Sequence, residues 1–112
     1  VVNDQFGSPT YAVDLAKAVL KIIENKEWKP GIYHYCNSGI INWFQFANAI
    51  KENANLTCEI TGIPTESYPT PAKRPAYSAI NTEKIQSQFG FTIPNWEKSL
   101  QSCIKVIADE KN

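Results

Sequence analysis

The chain has 112 residues, of which 43% are hydrophobic, so it is long enough for one compact domain and too short for two. Eleven basic and eleven acidic residues cancel and are interspersed, which argues against a nucleic-acid or membrane-surface partner. The apolar stretches are far shorter than the roughly twenty residues that cross a bilayer, and no signal peptide opens the chain. We therefore expect a cytoplasmic protein.

Cysteine and histidine usage excludes two further classes of protein. The three cysteines, Cys36, Cys58 and Cys103, are widely spaced without a CxxC pair, and His34 is the only histidine. A disulfide framework and a zinc site are therefore not expected. The cysteines are interpreted as small buried side chains, and His34, inside an apolar run, as a half-buried structural residue.

The first quarter of the chain predicts a strand end, a turn and a helix. Val1 and Val2 resemble the end of a strand, which suggests a chain that begins in the middle of a fold. The turn residues Gly7 to Pro9 lead into Thr10, a typical N-cap residue. Apolar residues then recur every three or four positions and predict a helix to about Glu24 with one buried face. That face comprises Ala12, Leu15, Ala16, Val19, Ile22 and Ile23.

The next quarter repeats the order strand, loop and helix. The β-branched and aromatic run Ile32–Tyr35 predicts a strand. Asn42, followed three residues later by Gln45, has the pattern of a capping box and predicts a helix to about Asn53. Trp43 and Phe46 share one face of this helix, and we interpret both as core residues rather than as a stacking platform for a base.

The second half of the chain is predicted to contain a strand, a long loop and two helices. Residues 58–63 resemble a short strand, and four prolines among residues 64–77 predict an ordered irregular loop. Asn81 or Thr82 is predicted to cap a helix that ends before Gly90, and a last helix begins near Pro94. The fold class is thus α/β, with about four helices and two or three short strands. So few strands predict a sheet that is completed by residues outside this chain.

Two polar segments are candidates for binding an anion. Residues 4–10 lead into a helix N-terminus, where free N–H groups either attract phosphate or are simply capped, and the sequence leaves both interpretations open. Residues 69–78 form a proline-rich loop that carries Lys73 and Arg74. Because the arginine fork binds phosphate in a bidentate manner, this loop is a candidate clamp, although an exposed Lys-Arg pair that only aids solubility is the alternative.

No motif for catalysis is present. The sequence has neither a GxGxxG loop nor a YxxxK pair, and it has no nucleophile placed beside a base and no set of metal ligands. We therefore predict no catalytic, cofactor-binding or metal-binding residue in this chain.

The two polar segments resemble the dTDP-4-dehydrorhamnose reductase family. The strings NDQFGSPT at residues 3–10 and YPTPAKRP at residues 68–75 match in order. Further matches are Asp14-Leu15-Ala16, Gly31 to His34, Trp43, Pro64-Thr65, Ser78, Asn81, Lys84 and Ile93 to Trp96. The resemblance extends over essentially the whole chain.

The resemblance implies the C-terminal substrate-binding lobe of an extended short-chain dehydrogenase/reductase, occupying residues 1–112 as a single domain fragment. The implied full-length enzyme reduces dTDP-6-deoxy-L-lyxo-4-hexulose to dTDP-L-rhamnose with NADPH or NADH. This chain lacks the family's N-terminal Rossmann domain, with its glycine loop and Tyr-x-x-x-Lys dyad, and is expected to be inactive alone. The resemblance assigns substrate binding to Arg74 and Pro75 and to Gln5, Gly7 and Thr10.

Other roles remain open at this point. The same superfamily supplies non-catalytic regulatory subunits, and a free-standing dTDP-binding module would also use these residues. The expected partners are a dTDP-sugar and the missing Rossmann domain. Whether the full-length form is a homodimer stays open.

Overall fold

The structure, a computed structural model, describes residues 1–110. These residues form four α-helices and a two-stranded antiparallel sheet, which confirms the α/β class. The elements in order are β1 (Phe6–Gly7), α1 (Ala12–Glu24), β2 (Ile41–Asn42), α2 (Trp43–Asn53), a 3₁₀ turn (Thr65–Ser67), α3 (Glu83–Phe89) and α4 (Trp96–Glu110). In the sheet, Phe6 pairs with Asn42 and Gly7 with Ile41.

Local sequence signals placed three helix ends correctly. The Asn42 side chain accepts a hydrogen bond from the Gln45 N–H, and the Gln45 side chain accepts one from the Asn42 N–H, so the predicted capping box of α2 is confirmed. Before α3, the Asn81 side chain accepts a hydrogen bond from the Glu83 N–H. Gly90 ends α3 in the left-handed conformation, with φ of 65°, as the glycine there predicted.

The start of α1 differs from the prediction. The N-cap position is occupied by Tyr11, not Thr10, and no side-chain cap hydrogen bond is formed there. Instead the Tyr11 N–H donates to Asn37 Oδ1 over 2.7 Å. Because Asn37 is 26 residues further along the chain, no local pattern could have predicted this partner.

The predicted strands at residues 32–35 and 58–63 are wrong within the described chain. Residues 32–35 belong to no ladder, and in the second segment only Ile63 pairs, in a parallel bridge with Val2. A strand exists only if a neighbour supplies its hydrogen-bond partners, and residues 1–110 supply none for 32–35.

The core is small and has a polar centre. The Asn37 side chain is fully buried and donates to Asp14 of α1, to Ser99 of α4 and to the Pro94 carbonyl. Ser99 also donates to the same Asp14 carboxylate. Six hydrophobic residues are buried around the helices: Ala18, Cys36, Ala49, Ile85, Ile93 and Leu100. The polar cluster joins α1 to α4 through the segment that precedes β2.

The predicted buried face of α1 is wrong. Ala18 is the buried residue of this helix, whereas Leu15 is 40%, Val19 46% and Ile23 71% exposed. The helix packs through the side that carries Asp14 and Ala18, because the Asn37 cluster holds Asp14 inward. Its apolar stripe faces outward.

Three smaller expectations also changed. Cys36 is buried as predicted and Cys103 half-buried, but Cys58 is exposed, since it lies outside any strand. His34 is exposed rather than half-buried, because the segment around it has no neighbouring strand.

Among residues 1–110 no helix has the length and apolarity to cross a membrane. The same residues form no group of three or more His, Cys, Asp or Glu side chains that could hold a metal ion.

Candidate functional site

The polar segment at residues 4–10 contacts the start of the proline-rich loop, residues 64–77, at Thr65. The Asp4 carboxylate accepts hydrogen bonds from the Thr65 N–H at 3.1 Å and from the Thr65 hydroxyl at 2.6 Å. Beside it, the Gln5 amide donates to the Thr65 hydroxyl oxygen at 3.3 Å. One end of the proline-rich loop is thus attached to the segment before β1.

The other end of the loop is attached to β1 itself. The Phe6 N–H donates to the Ala76 carbonyl, and the Ser78 N–H donates to the Phe6 carbonyl, both over 2.8 Å. A Cβ atom on Gly7 would lie 2.7 Å from Ser78 Oγ, so glycine lets the loop approach this closely. The Gly7 of the sequence motif therefore has a packing role.

Arg74 lies between these two attachments. Pro69, Pro71 and Pro75 fix backbone φ angles along the loop, and the Thr70 hydroxyl donates to the Ala72 carbonyl over 2.6 Å. A loop fixed at both ends and stiffened between them loses little conformational entropy when its arginine binds a ligand.

Asp4 is an ionisable residue of this site whose pKa is shifted by its hydrogen bonds. Hydrogen bonds from the Thr65 hydroxyl and backbone N–H stabilise the charged form, so the pKa of Asp4 is lowered from its ordinary value. Asp4 is therefore an anion at neutral pH and holds the loop as a charged acceptor.

Two cavities meet at Arg74. The larger, about 620 Å³, is lined by Val1, Val2, Gln5, Trp43, Ile63, Tyr68, Thr70 and Arg74. The smaller, about 510 Å³, is lined by Asp4, Thr65, Glu66, Lys73, Arg74, Pro75 and Ala76. The larger cavity carries one guanidinium and two aromatic rings without a carboxylate, whereas two carboxylates line the smaller one. A ligand that combines an anionic group with a flat ring is suited to the larger cavity.

The structure brings together some of the predicted site residues and separates others. Gln5 and Arg74 line the same cavity, and Pro75 follows in the adjoining one. Gly7 lies in β1 against Ser78. Thr10 lines a separate cavity of about 90 Å³ with residues of α2 and α4. Sharing a cavity does not test binding, so the predicted substrate-binding role of all five residues, Arg74, Pro75, Gln5, Gly7 and Thr10, stays a prediction.

Sequence reasoning missed two aromatic residues of the larger cavity. Trp43 was interpreted as core, but it is 49% exposed on the cavity wall, and Tyr68 is 62% exposed. Helical periodicity indicates which face of a helix a residue occupies. It does not distinguish a buried ring from a ring that borders a cavity. For Tyr68, the available signal was that an aromatic residue stands within the proline-rich string at residues 68–75.

Neither cavity at Arg74 has a glycine-rich turn that leads into a helix, the feature that holds a dinucleotide in a Rossmann fold. The helix that borders the larger cavity, α2, begins with Trp43, which lines that cavity. Within residues 1–110 the larger cavity thus combines one guanidinium with two aromatic rings.

Comparison with known proteins assigns the family. The family model described as the RmlD substrate binding domain matches residues 1–108. The chain belongs to this family. The match covers nearly all of the chain, including both candidate anion-binding segments, residues 4–10 and 69–78.

Curated relatives of known name agree with this assignment. The chain is 42% identical over 105 residues to the spore coat polysaccharide biosynthesis protein SpsK of Bacillus subtilis, covering 94% of this chain and 36% of that protein. It is 37% identical over 113 residues to the dTDP-4-dehydrorhamnose reductase of Escherichia coli, covering 93% and 38%. The chain thus spans less than two fifths of the length of these relatives.

Solved structures of reductases share the fold of the chain. A dTDP-4-dehydrorhamnose reductase from Clostridium acetobutylicum aligns with a TM-score of 0.87 at 36% identity, over 96% of this chain and 38% of that one. The enzyme from Bacillus anthracis, solved in complex with NADP, aligns with a TM-score of 0.81 at 36% identity, over 90% and 34%. The architecture described above is therefore that of the substrate-binding lobe of this family.

Proposed function

We propose that the chain binds the dTDP-sugar substrate of a dTDP-4-dehydrorhamnose reductase, with Arg74 as the residue that holds the diphosphate. The observation that carries the proposal is the position of Arg74 on a stiffened loop whose two ends are attached to residues 4–7. A guanidinium held in this way can bind a diphosphate in a bidentate manner at small entropic cost. Gln5, on the same cavity wall, supplies an uncharged polar partner.

In this proposal the chain contributes binding, and the reaction takes place in a larger enzyme. That enzyme reduces dTDP-6-deoxy-L-lyxo-4-hexulose to dTDP-L-rhamnose in the cytoplasm, and its NADPH or NADH supplies the hydride. The cofactor is held by residues outside this chain. The residues of this lobe orient the sugar nucleotide and exclude water from it.

The partner that completes the enzyme is an N-terminal Rossmann domain. Two observations support this part of the proposal: the relatives are more than twice as long as the chain, and the apolar stripe of α1 faces outward. Apolar stripes of this size normally pack against another layer of the same protein.

Titration calorimetry with dTDP tests the role of Arg74. Arg74→Ala should weaken dTDP binding about tenfold or more, because the loss of a charge-assisted hydrogen bond costs about 1.5–3 kcal/mol. Lys73→Ala, one position earlier in the same loop, is the matched control and should weaken binding less than about threefold. Equal affinities for wild type and Arg74→Ala would remove Arg74 from the site, and absence of dTDP binding by the wild type would overturn the proposed function.

A further inference from the structure

Trp43 and Arg74 line the same cavity. We infer that the indole of Trp43 is the stacking surface for the pyrimidine ring of the nucleotide. The inference rests on the proposed function, since Arg74 holds the diphosphate in the same cavity. The proposal concerns recognition of the base, which the assignment of Arg74 to the diphosphate leaves open.

The exposure of Trp43 sets it apart from a core residue. It is the first residue of α2, and 49% of its surface is exposed, although an indole is among the largest apolar groups a protein can bury. It lines a narrow space with Gly7, Pro9, Ile41 and Asn42, and it also lines the large cavity with Gln5 and Arg74. Part of the indole is thus packed against the β1–β2 ribbon, and another part borders the cavity.

The indole is held in a fixed orientation. Its ring meets Phe46 edge to face with centroids 6.1 Å apart, and Phe46 meets Trp96 of α4 in the same way, also at 6.1 Å. The capping box formed by Asn42 and Gln45 fixes the backbone at the point where Trp43 begins α2. A ring held by two such constraints loses little freedom on binding, which favours stacking with a base.

Tyr68 is the competing ring in the cavity. It lies just after the 3₁₀ turn and is 62% exposed, with a hydroxyl that gives it a polar end. Trp43 is chosen because its orientation is fixed by Phe46 from within a helix, and because indole is the better stacking surface for an electron-poor pyrimidine.

The test compares ligands with and without a base. Titrations with dTDP and with inorganic pyrophosphate are carried out on the wild type, Trp43→Ala and Trp43→Phe. Trp43→Ala should weaken dTDP binding about tenfold and change pyrophosphate binding less than about twofold, while Trp43→Phe should keep most of the dTDP affinity. Trp28→Ala, at a side chain 90% exposed and outside both cavities, is the matched control and should leave both affinities unchanged.

A fluorescence measurement on the intact indole guards against misfolding of Trp43→Ala. In a Trp28→Phe background the remaining emission comes from Trp43 and Trp96, and dTDP should quench it while saturating pyrophosphate should not. Equal quenching by the two ligands, or dTDP affinity that is unchanged in Trp43→Ala, would overturn the inference and leave the role of Arg74 standing. Failure of the wild type to bind either ligand would instead overturn the proposed function itself.

Discussion

Asp4 holds one end of the proline-rich loop that carries Arg74. Its carboxylate accepts both the backbone N–H and the hydroxyl of Thr65, and Gln5 adds a bond to the same hydroxyl. Neither Asp4 nor Thr65 carries the anion-binding charge, yet together they fix the start of the segment that leads to Arg74. In the function that we propose, the aspartate of the sequence motif therefore contributes to ligand binding by positioning the loop.

The lowered pKa of Asp4 predicts a loss of stability in acid. Because the folded-state pKa lies below the unfolded-state value, Asp4 contributes stability above its unfolded pKa and loses that contribution as the pH falls through the folded pKa. Urea unfolding at about pH 7 and about pH 3 should show a smaller pH-dependent drop for Asp4→Asn than for the wild type. Asp109→Asn, at an exposed position near the end of α4, is the control and should keep the wild-type drop. An identical drop in all three proteins would contradict the prediction.

At the scale of single residues the family resemblance singles out Arg74 and Gln5, and the structure places both on the wall of one cavity. Their predicted role in substrate binding stays a prediction. Trp43 was assigned to the core because its spacing is helical, and that spacing is the same for a core ring and for a ring at a cavity edge. The hydrogen bonds of Asp4 join residues 61 positions apart, so no local pattern contains them.

Among the elements, the helices were predictable and the strands were not. Each helix is specified by its own periodicity and by residues at its ends, as in the capping box of α2 and Gly90 after α3. A strand depends on a neighbour that can lie anywhere in the chain, and residues 32–35 have the β-branched and aromatic composition of a strand without a ladder partner among residues 1–110. Local composition thus predicts that a segment tends to form a strand, but it does not determine which segment pairs with it.

Asn37 is the residue on which the packing of the elements depends most. Its side chain is fully buried. It accepts a hydrogen bond from the Tyr11 N–H at the start of α1 and donates hydrogen bonds to Asp14, to the Pro94 carbonyl and to Ser99. Asn37→Ala leaves several of these groups without a partner and should lower the free energy of unfolding by about 3 kcal/mol or more. Asn48→Ala removes one bond within α2, to the Phe44 carbonyl, and should cost about 1 kcal/mol or less. Denaturant unfolding measures both, and similar losses for the two variants would contradict the central role of Asn37.

For the whole molecule, the distribution of apolar surface is the main departure from what the sequence predicted. Seventeen large hydrophobic side chains are exposed, against six buried hydrophobic residues among those described. The periodicity of α1 correctly identified an apolar stripe, but it cannot say what covers the stripe. With the stripe facing outward, the proposed Rossmann domain is the layer that would bury it.

This arrangement makes opposite predictions for two isoleucines of the chain. Ile23 of α1 is 71% exposed and Ile85 of α3 is 3% exposed. Ile23→Lys should change the free energy of unfolding of the chain by less than about 0.5 kcal/mol, since lysine is a good helix former and no packing is lost. Ile85→Ala should cost about 2–5 kcal/mol because it removes buried methyl groups from the core. If α1 instead buried the stripe that its periodicity suggested, Ile23→Lys would destabilise the chain as strongly as Ile85→Ala in denaturant unfolding. Once the chain is joined to the Rossmann domain that we propose, Ile23→Lys should become destabilising, because a charge would then be buried at the junction.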